Sequence, residues 1–232
     1  MIKLESTQVL GWEHAIRGMR NPLNSWNKMD SLFIPGQFCD EEYTWNLSEK
    51  CGGVAPVVKE NDHKLMMSLA KGGPVHAKYR RMITVYLDIT APFYWWKEFD
   101  TYKVGTVANS CSTMHKIHAK RFEREDFSIE HLHNFEEQHW MVCMDNVIAA
   151  LNVARDKFLE TGDKKYWWQM IQLLPTSYNQ KRTVMLNYEV LHNIYHSRKN
   201  HKLDEWHVFC DWIEKLPYSE VITGTSVESG ET

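Results

Sequence analysis

At 232 residues the chain is long enough for one large domain or two small ones, and its 43% hydrophobic and 25% charged residues are an ordinary globular mix. A net charge of -3 argues against a surface that coats nucleic acid. No apolar run approaches the roughly 20 residues that a membrane helix needs. Met1-Ile2-Lys3-Leu4-Glu5 is polar from the start, without the pattern of a secretory leader. Cys39, Cys51, Cys111, Cys143 and Cys210 are an odd set with no Cys-x-x-Cys spacing. Together these features predict free thiols in a reducing, cytoplasmic setting, where Cys39 and Cys51 would not pair.

Taken in chain order, residues 34–56 hold Pro35, Gly36, Gly52, Gly53 and Pro56 and predict a long loop. Glu60 to Lys71 reads as a helix with Leu65, Met66, Leu69 and Ala70 on its apolar stripe, stopped by Gly72-Gly73. Lys78-Tyr79-Arg80-Arg81 is a short basic run that reads as a solvated patch before a strand. From Met82 to Thr90, Ile83, Val85, Leu87 and Ile89 alternate with polar residues, the period of a half-buried strand. Thr90 then reads as the cap of a helix over Ala91 to Lys103, with Pro92 in its first turn. Val104 to Ser110 reads as a loop.

A long helix is expected from Ser128 to Leu159, with Leu132, Phe135, Val142, Val147, Ile148 and Leu151 facing the core and Gly162 beyond its end. Further helices are expected over Lys164 to Leu173, Tyr188 to Ser197 and Leu203 to Lys215, with a short strand over Thr183 to Leu186. The small, polar chain end, clearest from Gly224 to Thr232, predicts a flexible tail over 219–232 after a single domain over 1–218. Strands mixed with long helices, without regular βαβ alternation, predict an α+β fold.

The stretch from Leu174 to Arg198 carries most of the functional signal. A helix turns about 100° per residue, so Arg198 returns to within roughly 20° of Asn187, on the stripe of Leu191 and Ile194. An arginine on an apolar stripe needs a partner. It either snorkels, makes an internal salt bridge, or offers a planar, bidentate fork to an anion. Asn193 points away from Asn187, so the two asparagines would need different contacts, which different subunits could supply. His192 and His196 are spaced i, i+4 on the polar face, but the pattern lacks the glutamate of a His-Glu-x-x-His site, and no metal site is expected. His131, His133 and His139 read as a solvated face, and the lone pair His115 and His118 is a weak signal. Neither a Gly-x-Gly-x-x-Gly turn nor a P-loop occurs. A Gly-x-Ser-x-Gly elbow is absent as well. Cys111 reads as a structural thiol, with only Lys103 and His115 near it in sequence.

The order and spacing of these pieces resemble the flavin-dependent thymidylate synthases, the ThyX family. Leu174-Pro175, Asn187 twelve residues on, Asn193 six further and Arg198 five further match the family's C-terminal motif in spacing. Gly73 to Lys103 aligns without gaps, with the strand Met82 to Thr90 and Ala91-Pro92 leading to the family signature. The resemblance covers roughly Lys59 to Ser112 and Trp168 to Ile213. It implies a ThyX-like mixed sheet packed with long helices, FAD as cofactor, and dUMP as substrate. NADPH and methylenetetrahydrofolate are the implied co-substrates, in a homotetramer with sites at subunit interfaces. It implies that His76, Asn187 and Asn193 contact the flavin, and that Arg198 binds the uracil ring and favours its ionised form. Lys103 would keep part of the phosphate-binding role, and Glu98, Ser110 and Cys111 would line the substrate loop.

The chain departs from the family pattern at several positions. The signature Arg-His-Arg, seven residues, then Ser appears as Thr101-Tyr102-Lys103, Val104 to Ser110, then Cys111. The glutamine one turn before it is Glu98, the following glutamate is Asn109, and the later arginine is Thr113. Ile171 and Glu189 stand where the family has arginines, and Asp204-Glu205-Trp206-His207 replaces Ala-Gln-x-Glu. Each lost charge-assisted contact removes about 1.5–3 kcal/mol. Either Lys78, Arg80, Arg81, Lys97 and Lys103 make up the charge, or the ligand differs. Two further readings follow: a flavoenzyme making another C5-modified pyrimidine nucleotide, and a non-catalytic nucleotide-binding or oligomeric homologue.

Overall fold

Gly11 separates a first strand, β1 (Lys3–Leu10), from a first helix, α1 (Trp12–Arg20). Its φ is +89°, and a Cβ there would lie 2.1 Å from the Met82 carbonyl oxygen, so only glycine fits. The computed structural model describes residues 1–35, 37–38, 45–46, 54–135 and 139–224. Residues 34–56, which Pro and Gly content predicts as one long loop, instead hold paired strands. β2 (Leu32–Pro35) pairs antiparallel with β5 (Val54–Val57), and β3 (Gln37–Phe38) with β4 (Trp45–Asn46). Cys39, Cys51 and the loop's Gly36, Gly52 and Gly53 lie outside the described residues.

The next elements are α2 (Glu60–Lys71), a 3-10 turn over Ala77–Met82, β6 (Thr84–Pro92) and α3 (Phe93–Phe99). The helix expected over Ala91 to Lys103 is therefore only seven residues long. The strand runs on through Pro92, which takes the N-cap position in place of Thr90. Ending the helix at Phe99 frees Tyr102 and Lys103 for a turn. The expected loop at 104–110 contains β7 (Val107–Ser110), whose four residues are all exposed and so show no burial period. Then come α4 (Thr113–Lys116), α5 (Trp140–Thr161), α6 (Lys164–Leu173), β8 (Asn179–Asn187), α7 (Tyr188–Arg198), α8 (Asp204–Glu214) and α9 (Glu220–Thr223). No helix among the described residues is long and apolar enough to cross a membrane.

Two expectations fail at helix ends. The long helix begins at Trp140, and the expected core positions Phe135 and Val142 are 65% and 52% exposed. The expected tail instead begins with α9, where Val221 and Ile222 are fully buried. Residues 225–232 lie outside the described residues.

Four strands pair in the order β1-β6-β8-β7. Within the span expected as one domain, the chain forms two compact units: 1–3, 90–101 and 109–182, and 4–89, 102–108 and 183–232. The first is centred on Ile117, Phe122, Phe127, Met144, Leu151 and Met170, with α5 packed on α6. Asn152 braces this core by exchanging two 2.9 Å hydrogen bonds with the backbone of Phe122. The second buries Trp12, Tyr188, Trp206, Phe209 and Trp212, with Trp12 edge-on to Tyr188 at 5.4 Å. Removing one such ring costs about 3–5 kcal/mol, because the cavity left behind adds to the lost burial.

Candidate functional site

Helix α7 starts at a well-made cap in the second unit. Asn187 is extended, and its Oδ1 accepts from the backbone N–H groups of Glu189 and Val190 at 3.1 and 3.0 Å. This satisfies two donors that the first turn leaves open. The amide oxygen is thus engaged, and the Nδ2 end is the part suited to a ligand. The turn carrying Lys103 packs on this cap. Gly105 has φ +81°, and a Cβ there would sit 3.0 Å from Asn187 Nδ2 and 3.1 Å from Val190 Cγ2. Gly105→Ala is therefore expected to destabilise the protein by about 1–2 kcal/mol, read as a lowered melting temperature.

Glu189, the second residue of α7, is 8% exposed and faces Arg80, which is 3% exposed. Arg80 Nη1 lies 3.6 Å from Glu189 Oε2. Arg80 is therefore not one of the cations left for an anionic ligand. Among the described residues, Arg80 Nε and Glu189 Oε2 find no hydrogen-bond partner. Lys78, Arg81, Lys97 and Lys103 are exposed.

At its far end α7 presents Arg198, half-buried. Its Nε donates a 2.9 Å hydrogen bond to Tyr102 Oη. Its guanidinium carbon lies 4.9 Å from the Trp206 ring centre and 5.6 Å from that of Tyr102. The two rings meet edge-on at 6.1 Å. The partner that the helix geometry demands for this arginine is therefore in part aromatic, a cation–π arrangement. Tyr102 and Trp206 stand out in the sequence only as departures from a pattern, and nothing there indicates that they meet.

Asn193 and His76 are exposed. His76 helps line a cavity of about 390 Å³ with Gly18, Met19, Leu69, Val75 and Met82. Lys103, Asn187, Asn193 and Arg198 are not among its lining residues. His192 and His196 are 4.3 Å apart edge-on, and His192 Nδ1 lies 2.6 Å from the Ile222 carbonyl oxygen. Burial first, and then the His192 ring, push the His196 pKa below its usual value. No group of three metal-ligating side chains occurs among the described residues.

The first unit carries Glu98, Ser110 and Cys111. Glu98 is half-buried near the end of α3, and Ser110 and Cys111 are exposed. Gln180 holds the segment after β7: its Nε2 donates to the Cys111 carbonyl at 2.9 Å and to Thr113 Oγ1 at 3.0 Å. Arg182 braces Gln180 in turn, with Nε 3.0 Å from Gln180 Oε1 and Nη1 2.7 Å from Asp100. Its guanidinium lies 4.1 Å from the Trp96 ring centre. Nothing in the sequence marks Gln180 or Arg182, because their role depends on pairing across β8. Cys111, Cys143 and Cys210 are free thiols, and burial pushes Cys210 up to about 12.

No protein-family model matches the chain, and no curated protein matches it in sequence. Solved structures do match. Thymidylate synthase X (ThyX) from Helicobacter pylori, with FAD and dUMP, has a TM-score of 0.63 at 14% identity, covering 97% of this chain and 98% of that one. A second structure of the Helicobacter pylori flavin-dependent synthase, complexed with FAD and dUMP, has a TM-score of 0.60 at 13% identity, covering 96% and 98%. Over nearly its whole length, this chain has the mixed helix-and-sheet fold of those thymidylate synthases.

Proposed function

We propose that the protein is a flavoenzyme of the thymidylate synthase type, acting at C5 of a pyrimidine nucleotide. The observation that carries this reading is the near-complete match in fold to a synthase structure holding FAD and dUMP. The proposed reaction converts dUMP to dTMP with methylenetetrahydrofolate as carbon donor and NADPH as reductant. FAD, when bound and reduced, supplies hydride. Arg198 donates to the pyrimidine ring and stabilises the negative charge that develops there. Its orientation is already set by Tyr102 and Trp206, so little ordering remains at the moment of reaction. The Nδ2 group of Asn187, together with Asn193 and His76, holds the isoalloxazine. These side chains supply hydrogen-bond donors and acceptors of the kind a flavin ring requires. Lys103 takes the phosphate-binding role, and Glu98, Ser110 and Cys111 line the nucleotide's path. The same reading makes the protein a cytoplasmic homotetramer.

A second reading, a non-catalytic nucleotide-binding homologue, is favoured by one feature. Glu189 stands at a cation position of the family pattern and neutralises Arg80. Titration with FAD separates the two classes. The enzyme reading expects a protein-bound flavin absorbance band that saturates with added FAD. A protein that stays colourless after FAD addition and gel filtration would overturn the flavoenzyme reading, whatever its pyrimidine substrate.

A further inference from the structure

Two departures from the family pattern lie far apart in sequence, at the signature and in α8. They converge on one retained residue. Tyr102 occupies the histidine position of the signature, and Trp206 lies in the segment replacing Ala-Gln-x-Glu. Tyr102 Oη accepts from Arg198 Nε at 2.9 Å across 96 positions of sequence, and Trp206, fully buried, backs the guanidinium at 4.9 Å. We propose that Tyr102 is a positioning residue: it fixes the plane of Arg198 against Trp206, so that the guanidinium edge meets the pyrimidine ring in one orientation. This rests on the role given to Arg198 under the proposed function.

An arginine side chain has several rotatable bonds, and a long cation at a helix end samples many rotamers in water. A hydrogen bond at Nε fixes the rotation of the fork about its own axis. A ring beneath it fixes the tilt, and the fully buried Trp206 is itself held in place. A fork held in this way can match a planar ligand with adjacent acceptors. Such a ligand is a pyrimidine ring that has lost its imide proton.

The test uses dUMP and 5-fluoro-dUMP, whose fluorine makes the ring imide more acidic. Affinities are measured on the wild-type protein, Tyr102→Phe, Arg198→Lys and Arg198→Ala, with FAD affinity and melting temperature as controls. The wild type is expected to prefer the fluorinated nucleotide. Tyr102→Phe, which removes one oxygen, is expected to shrink that preference about tenfold with the controls unchanged. Arg198→Lys, which keeps the charge but not the fork, is expected to shrink it similarly. A preference that falls in both Arg198 variants but survives Tyr102→Phe overturns the positioning role alone. Equal weakening of both nucleotides in Tyr102→Phe also overturns it, because that is the mark of a purely structural tyrosine. A wild type without the preference, or one whose preference survives Arg198→Ala, overturns the role of Arg198 and this inference with it.

Discussion

Replacing Asp62 by alanine is expected to destabilise the protein by about 3–5 kcal/mol, the usual cost of breaking a buried ion pair from one side. For a chain of this size that lowers the melting temperature by roughly 10 °C or more. Asp62 is fully buried, and its Oδ1 accepts from Arg20 Nε at 2.6 Å. Its Oδ2 accepts from the backbone N–H groups of Asp30 and Ser31 at 3.0 and 2.8 Å. Asp30 returns the contact by accepting from the Asn61 and Asp62 amides, so one carboxylate ties the end of α1 to the start of α2. Without it, Arg20 would be a buried cation and two amides would lose their acceptor. Burial alone would raise the Asp62 pKa. The hydrogen bonds from Ser31 and Arg20 outweigh burial and hold it below the usual 3.8. A depressed folded-state pKa gives stability that is fully present above 3.8 and lost as pH falls through the folded value. Thermal melts across that range should show the wild type losing its advantage over Asp62→Asn at the acid end.

On the proposed function, Arg198→Ala is expected to lower the rate of dTMP formation about 10²–10³-fold, the range for removing one preorganised donor from a developing oxyanion. FAD affinity should change little, while the melting temperature should fall by a few degrees, because Arg198 gives up its hydrogen bond to Tyr102 and its place over Trp206. A matching loss of flavin would instead place the residue in the cofactor's grip. The rate, and not stability, is the quantity to compare.

The elements legible in the sequence were those whose burial period matches their own geometry. β6 buries Val85, Leu87 and Ile89, and α6, α7 and α8 lie within a residue or two of their expected bounds. α7 starts at Tyr188 as expected, directly after the side-chain cap that Asn187 supplies. β2 and β5 were not legible, since Leu32 and Val57 are about half exposed and leave no alternation to read. α9 is not legible because a four-residue helix carries no period, although its Val221 and Ile222 are buried. In the candidate site the spacing from Asn187 to Arg198 was visible because it lies on one helix. The Tyr102 and Gln180 contacts were not, because strand pairing and chain reversal bring them about, and neither leaves a local pattern. The pairing of Arg80 with Glu189 shows the same limit: a basic run that reads as a solvated patch contains a buried cation.

The most direct test of the account is a turnover measurement on the purified protein. It is supplied with FAD, NADPH, methylenetetrahydrofolate and dUMP, and dTMP is measured by chromatography in parallel with Arg198→Ala. The expected result is dTMP from the wild type and a rate reduced about 10²–10³-fold in the variant. A wild type that binds FAD and dUMP yet forms no dTMP, or a variant as fast as the wild type, would contradict it.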